Sequence, residues 1–159
     1  MNFTLPNFIT LEAPANGGIA TGTSPVLRWT APDPKFNLYF VFLYDSGGSG
    51  YFKWVGVTDK TSITYPTFLS GSGFENLNLG ANKGYCWLVY GYYIPGFSLQ
   101  ANMAQVSGVL RDMSGMKTFS SDGSIQAMAG IEIKQALEQT MSGKTFYFGT
   151  GSVPYVTTT

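Results

Sequence analysis

The side chains able to do acid–base or nucleophilic chemistry are few and dispersed. There is no histidine in the chain, so Ser-His-Asp and Cys-His nucleophiles and every histidine-containing metal site are excluded. The single cysteine, Cys86, is too few for a thiolate zinc site and has no partner for an internal disulfide. Set in an apolar run, it reads as a small buried residue, with a reactive thiol as the alternative. Asp45, Asp59, Asp112, Asp122, Glu12, Glu75, Glu132 and Glu138 stand apart in sequence, and a hydrolytic carboxylate pair would have to be assembled by folding. Asp45 borders Ser46-Gly47-Gly48-Ser49-Gly50, but one carboxylate is short of what a calcium ion requires. That run and Gly71-Ser72-Gly73 lack the strand before and helix after that a phosphate cradle needs, so they read as hairpin and loop. Arg111-Asp112-Met113 reads as a solvated turn, or else a surface contact. Asn2-Phe3-Thr4 has the spacing of a glycosylation acceptor and is given no role. The expectation is a protein that is not an enzyme, with no cofactor and no metal.

What the chain offers instead is aromatic surface. Aromatic residues make up 16% of it and charged residues 11%, against about a quarter charged in an ordinary soluble domain. Trp54, Phe40, Phe42, Tyr44, Tyr90, Tyr92 and Tyr93 are the candidate binding residues. Flat rings of this kind make protein contacts or stack on sugar faces with little help from charge. Lys plus Arg equals Asp plus Glu, nine each. A nucleic-acid or anionic-membrane surface would need a basic excess, and charge repulsion does not oppose self-association. No run of about 18 apolar residues exists to span a bilayer. Met1 to Pro6 carries neither the basic segment nor the apolar segment of a leader. The composition fits a secreted or cell-envelope protein, whose leader would then have been removed.

At 159 residues the prior is one domain, large enough to bury a core without disulfides. Short strand-like runs recur at roughly ten-residue spacing. Ile9 to Pro14 alternates and ends at proline, as an edge strand does. Ala15 to Gly18 is a turn. Val26 to Thr30 places Leu27 and Trp29 on one face. Phe36 to Asp45 is a long strand with two apolar faces, and Tyr51 to Val57 pairs back on it. Ser62 to Tyr65 is another short strand. Leu79 to Tyr93 is a turn feeding a second long apolar strand. No helical period is evident before about residue 100. Ile94 to Gly115 is expected to be a long loop with a short helical or strand insert, and Met116 to Ser121 a closing edge strand. From Ile125 to Met141 helix and strand compete, with Lys134 to Thr140 the most helical part. Lys144 to Thr150 reads as a final strand, and Val153 to Thr159 as a mobile end or an added edge segment.

Leu11-x-x-Pro14, Asn16-Gly17, Leu27-x-Trp29, Tyr39-x-Val41-x-Leu43, Trp54, and then Leu79, Tyr85, Trp87 and Val89 resemble a fibronectin type III-like domain of bacterial secreted or envelope proteins. An immunoglobulin-like sandwich without a disulfide is the near neighbour. The resemblance covers about residues 7–93, with a last strand at 116–121. It implies an all-β fold: a two-sheet antiparallel sandwich over 7–121 with a long insert near 94–115, followed by a 122–159 C-terminal extension, a short helix plus strand, packing on one sheet. It also implies a tyrosine corner, in which the Tyr85 hydroxyl bonds to backbone upstream beside Leu79, and a core where Trp29 and Trp87 face each other.

One feature is at odds with a plain two-layer sandwich. If Tyr39, Val41, Leu43, Tyr85, Trp87 and Val89 face the core, the opposite faces carry Leu38, Phe40, Phe42, Tyr44, Cys86, Leu88, Tyr90 and Tyr92. An antiparallel sheet ordinarily shows polar residues to water, and monomers rarely expose an apolar patch of this size. Three readings stand: the tail or the 94–115 insert covers it, a second copy or another protein covers it, or it is a ligand platform. The functional expectation is a non-catalytic binding or structural module mediating protein–protein contact, adhesion or assembly. A carbohydrate-binding module using exposed aromatics is the alternative, with polysaccharide as its partner.

Overall fold

The computed structural model describes residues 9–31, 34–46, 52–113, 135, 137, 146–149 and 153–158. Nine strands lie among them in chain order: β1 Thr10–Ala13, β2 Gly18–Thr21, β3 Val26–Thr30, β4 Leu38–Asp45, β5 Phe52–Thr58, β6 Ser62–Thr64, β7 Gly84–Tyr93, β8 Phe146–Gly149 and β9 Val153–Thr158. One α-helix, α1, spans Met103–Met113, and a single 3-10 turn spans Glu75–Leu77. The regular structure of the described residues is thus mostly strands in two sheets, with the short helix α1, which agrees with the all-β expectation.

The smaller sheet has the order β1-β3-β6, and the larger β2-β9-β7-β4-β5, with β8 also on β7. All pairings are antiparallel except β2 with β9, which is parallel. The backbone switches sheets between β1 and β2, across a cis Ala13–Pro14 bond and the turn Ala15–Gly18, closed by Gly18 N–H to Ala15 O at 2.8 Å.

β3 alternates strictly between exposed and buried because only one of its faces meets the core. β4 and β7 do not alternate: β4 is buried from Leu38 to Leu43, and β7 from Trp87 to Tyr92. They are the middle of the larger sheet, covered on both faces, and a strand in that position is a continuous apolar run. Their register pairs Val41 with Val89 and Leu43 with Trp87. The inner layer, between the sheets, gathers Leu27, Trp29, Tyr39, Val41, Leu43, Tyr65, Leu79, Tyr85, Trp87 and Val89. Trp29 sits edge-on to Tyr39 at 5.3 Å and lies 6.4 Å from Trp87. Gly91, opposite Tyr39 in the register, leaves room for that packing: a Cβ there would lie 3.1 Å from the Tyr39 ring and 2.7 Å from Ile9.

The outer face of the larger sheet forms a second core. Leu38, Phe40, Phe42, Leu88, Tyr90 and Tyr92 are buried with Ile94, Leu99, Val106, Val109 and Leu137. Phe40 meets Tyr92 edge-to-face at 5.6 Å and Phe42 meets Tyr90 at 5.4 Å. Both are diagonal cross-strand pairs, a spacing within reach of aromatic rings. Val106 and Val109 of α1 lie three apart on one helical face, while Met103 is exposed. Asn37 holds the point where the chain leaves β7 for this layer: its side chain donates to Ile94 O at 2.8 Å and accepts from Ile94 N at 3.0 Å.

Several expectations are corrected. The stretch Val153 to Thr159, read as a mobile end or an edge segment, contains β9, an interior strand between β2 and β7. β2 lies where the sequence suggested only the end of a turn. The 94–115 stretch, expected to be a long loop with a short helical or strand insert, carries the helix α1 at Met103–Met113. The expected strand at 116–121, the hairpin loop at 47–50 and most of 122–141 lie outside the described residues. Of that last stretch Gln135 and Leu137 have helical backbone.

Candidate functional site

Three of the described carboxylates, Glu12, Asp59 and Glu75, go to separate partners. Glu12 on β1 takes Arg28 Nε at 3.1 Å and the Thr30 hydroxyl, both from β3. Asp59 lies 3.9 Å from Lys60. Glu75 accepts from Gly71 N, and the backbone N–H groups of Glu75 itself, Gly71 and Gly73 hold its carboxyl below the usual carboxylate range. Among the described residues no group of three or more His, Cys, Asp or Glu could hold a metal ion. Asp122, Glu132 and Glu138 lie outside them. Cys86 on β7 is half-buried opposite Tyr44 of β4. Burial pushes its thiol up, partly offset by hydrogen bonds with Ser46 and Tyr44, which is the reverse of an activated thiolate.

The candidate binding aromatics do not form one surface. Phe40, Phe42, Tyr90 and Tyr92 are buried in the outer core beneath α1 and Leu137, so they are not presented for stacking on a sugar. Tyr44 packs against the same cluster, half-buried, and Tyr93 is half-buried. Trp54, on β5, lies over Gly56 and against Tyr65 with centroids 4.9 Å apart, on the inner side of the larger sheet. The physical reason is the second cover. Strands with two apolar faces are stable in the interior of a layered structure, and the chain supplies both covering layers itself.

The residues assigned to structure come together as a unit. Trp29, Leu79, Tyr85 and Trp87 are all in the inner core. The Tyr85 hydroxyl accepts from Gly80 N at 2.7 Å, in the turn that reaches β7 through Asn82 at positive φ, 55°, a conformation asparagine tolerates. Trp87 Nε1 donates to Pro14 O at 3.1 Å in the interior.

One surface was not assigned from the sequence. Between β6 and β7 the chain makes a loop closed by its own polar groups. Asn78 donates to Phe68 O at 2.8 Å and accepts from Phe68 N at 2.7 Å, and Tyr65 donates to Leu77 O at 2.5 Å. Ser72 N donates to Leu69 O at 3.1 Å, and Leu77 N to Phe74 O at 2.9 Å. Lys53 ties the loop to β5 through Asn76 O at 3.1 Å. A ring series joins it to the core: Phe74 to Phe68 at 6.4 Å, Phe68 to Tyr65 at 6.5 Å, then Trp54. The tip, Leu69 to Phe74, turns through Gly71 and Gly73 at φ 82° and 84° and leaves Leu69 76% and Phe74 59% exposed. The available signal was two large apolar residues flanking a Ser/Gly run that has no strand period.

No helix among the described residues is long and apolar enough to cross a membrane. No protein-family model and no curated protein matches this chain.

Proposed function

We propose that the chain is a non-catalytic binding module, a fibronectin type III-like sandwich that makes protein–protein contact through the Leu69–Phe74 tip. The observation that carries the reading is the tip itself: two large apolar side chains held out to solvent by a loop whose backbone is already ordered. A contact surface tied down before binding loses little conformational entropy on association, and exposed apolar residues on a built loop commonly mark interaction sites. The fold assignment is supported by the sheet order β1-β3-β6 against β2-β9-β7-β4-β5, and by the Tyr85–Gly80 bond beside buried Leu79. On this assignment the long insert lies between β7 and the final strands. A secreted or cell-envelope setting, with roles in adhesion or assembly, fits the low charge and the aromatic content.

The test places a photo-crosslinking phenylalanine analogue at position 74 of the full chain, with a control at exposed Thr10, in the cells that make the protein. A discrete protein adduct at 74 and none at 10, whether with a second copy or with another protein, is the expected result. No adduct at 74, or equal adducts at both positions, overturns the reading.

A further inference from the structure

We infer that Asn16 is a site of spontaneous backbone modification: it deamidates through a cyclic imide in the folded protein and so marks and loosens the β1–β2 crossing. Asn16-Gly17 is the one Asn-Gly step in the sequence. In this chemistry the Gly17 backbone nitrogen attacks the Asn16 side-chain carbonyl carbon. The new C–N bond closes a five-membered imide, the nitrogen loses its proton, and ammonia leaves with the former amide nitrogen. Water then opens the ring at either carbonyl, giving aspartate or isoaspartate. Water is the only co-reactant.

Four observations place this chemistry here. Asn16 and Gly17 are both exposed, so water and base reach the step. The turn is closed by Gly18 N donating to Ala15 O, a pairing that does not engage the Gly17 nitrogen. Apart from its two chain neighbours, nothing lies within 4 Å of where a Gly17 Cβ would be, so the space beside Gly17 is open. Gly17 has φ 70°, the third position of a type II turn. Glycine takes either sign of φ, so the Asn16–Gly17 peptide plane can turn over toward the type I form while the Ala15–Gly18 bond is kept. The other described asparagines differ. Asn37 and Asn78 hold two side-chain bonds each, Asn102 accepts at its side chain from Ser98 N, and none of these, nor Asn76 or Asn82, precedes a glycine.

The consequence follows from the position. The turn hands the chain from one sheet to the other, and β2 pairs with β9 from Gly18 opposite Tyr155 onward. A Cβ at Gly18 would sit 2.8 Å from Ala15 O, so the backbone is closely packed where the turn enters β2. Isoaspartate puts an extra methylene into the backbone at this point and a negative charge on a chain of zero net charge.

The experiment ages the full folded chain in mildly alkaline buffer, beside a denatured sample and an Asn16→Gln variant, whose ring would have six members. Peptide mapping reads the conversion of the side-chain amide to an acid, and isoaspartyl methyltransferase labelling reads the isomer. Hydrogen exchange reads protection of β2 and β9. The expected result is modification of the folded chain concentrated at Asn16, within severalfold of the denatured rate. N16Q should keep its fold and lose the label, and the modified fraction should lose protection in β2 first. The inference is overturned if folded Asn16 stays intact while the denatured chain modifies, if another asparagine modifies faster in the folded chain, or if modified and unmodified fractions exchange alike.

Discussion

Trp29 and Trp87 face each other in the inner core, yet their indole N–H groups fare differently. Trp87 Nε1 reaches Pro14 O, whereas Trp29 Nε1 is buried with no partner among the described residues. Replacing either by Phe removes a similar volume. Trp87→Phe also strips the Pro14 carbonyl of this bond, at about 1–3 kcal/mol for a buried group left unsatisfied; Trp29→Phe removes a polar group that was already uncompensated. We expect Trp87→Phe to be the more destabilising of the two by about 1 kcal/mol or more in urea unfolding. The buried tyrosines set an alkaline limit. Burial pushes Tyr39 up to about 12, and burial, with Tyr85 and then Asp45 nearby, pushes Tyr65 up as well. The unfolded chain releases these protons near pH 10, roughly the free tyrosine value, while the folded chain still holds them. Stability from these groups is therefore complete below about pH 10 and is lost as pH rises through the folded values. For Tyr39 that loss is on the order of 2–3 kcal/mol by pH 12. Tyr39→Phe should flatten the decline above about pH 10, as read by urea midpoints across the range; an unchanged decline would refute it.

At the scale of elements, β5 depends on a glycine. A Cβ at Gly56 would lie 2.2 Å from the Trp54 ring and 2.9 Å from Ile63, so the ring covers the backbone there and reaches Tyr65. Gly56→Ala must displace Trp54. Overpacking of this kind costs about 1–3 kcal/mol, and the tryptophan emission should shift to the red as the ring moves into water. In α1, Val106 and Val109 are the two described side chains that close the outer core. Val106→Asp would bury an unpaired charge there, so the variant should lift the helix from the sheet. Sedimentation velocity is expected to show self-association of that variant at concentrations where the wild type does not associate, because Phe40, Phe42, Tyr90 and Tyr92 become exposed.

For the whole molecule, three layers are stacked: the smaller sheet, the larger sheet, and the α1 layer with Leu137. The larger sheet is closed late in the chain, since β8 and β9 join β7 from the last residues described. A chain ending near Ser121 would lack β8, β9 and Leu137. It should leave both β2 and one edge of β7 unpaired and should aggregate, where the full chain keeps that face covered. A soluble, monomeric truncated chain in sedimentation velocity would contradict this three-layer account.

Local pattern in the sequence determined which face each residue occupies. The two-residue period of a strand is a property of the backbone itself, so Tyr39, Val41 and Leu43 were separable from Leu38, Phe40 and Phe42, and Trp29 could be set against Trp87. The turn before Tyr85 was legible for the same reason, since it depends on residues a few positions apart. Tertiary structure alone decided which strand lies beside which, and what covers each face. Val153 to Thr158 has the composition of an edge strand, yet it lies between β2 and β7, because pairing is settled by partners far away along the chain, Gly18 to Thr21 on one side and Gly84 to Trp87 on the other. The aromatic faces of β4 and β7 were readable as apolar, but their burial rests on Val106, Val109 and Leu137 arriving over them. The exposed tip was hidden for a related reason: Leu69 and Phe74 differ from core residues only in what fails to pack on them, and periodicity within one segment carries no information about its neighbours in space.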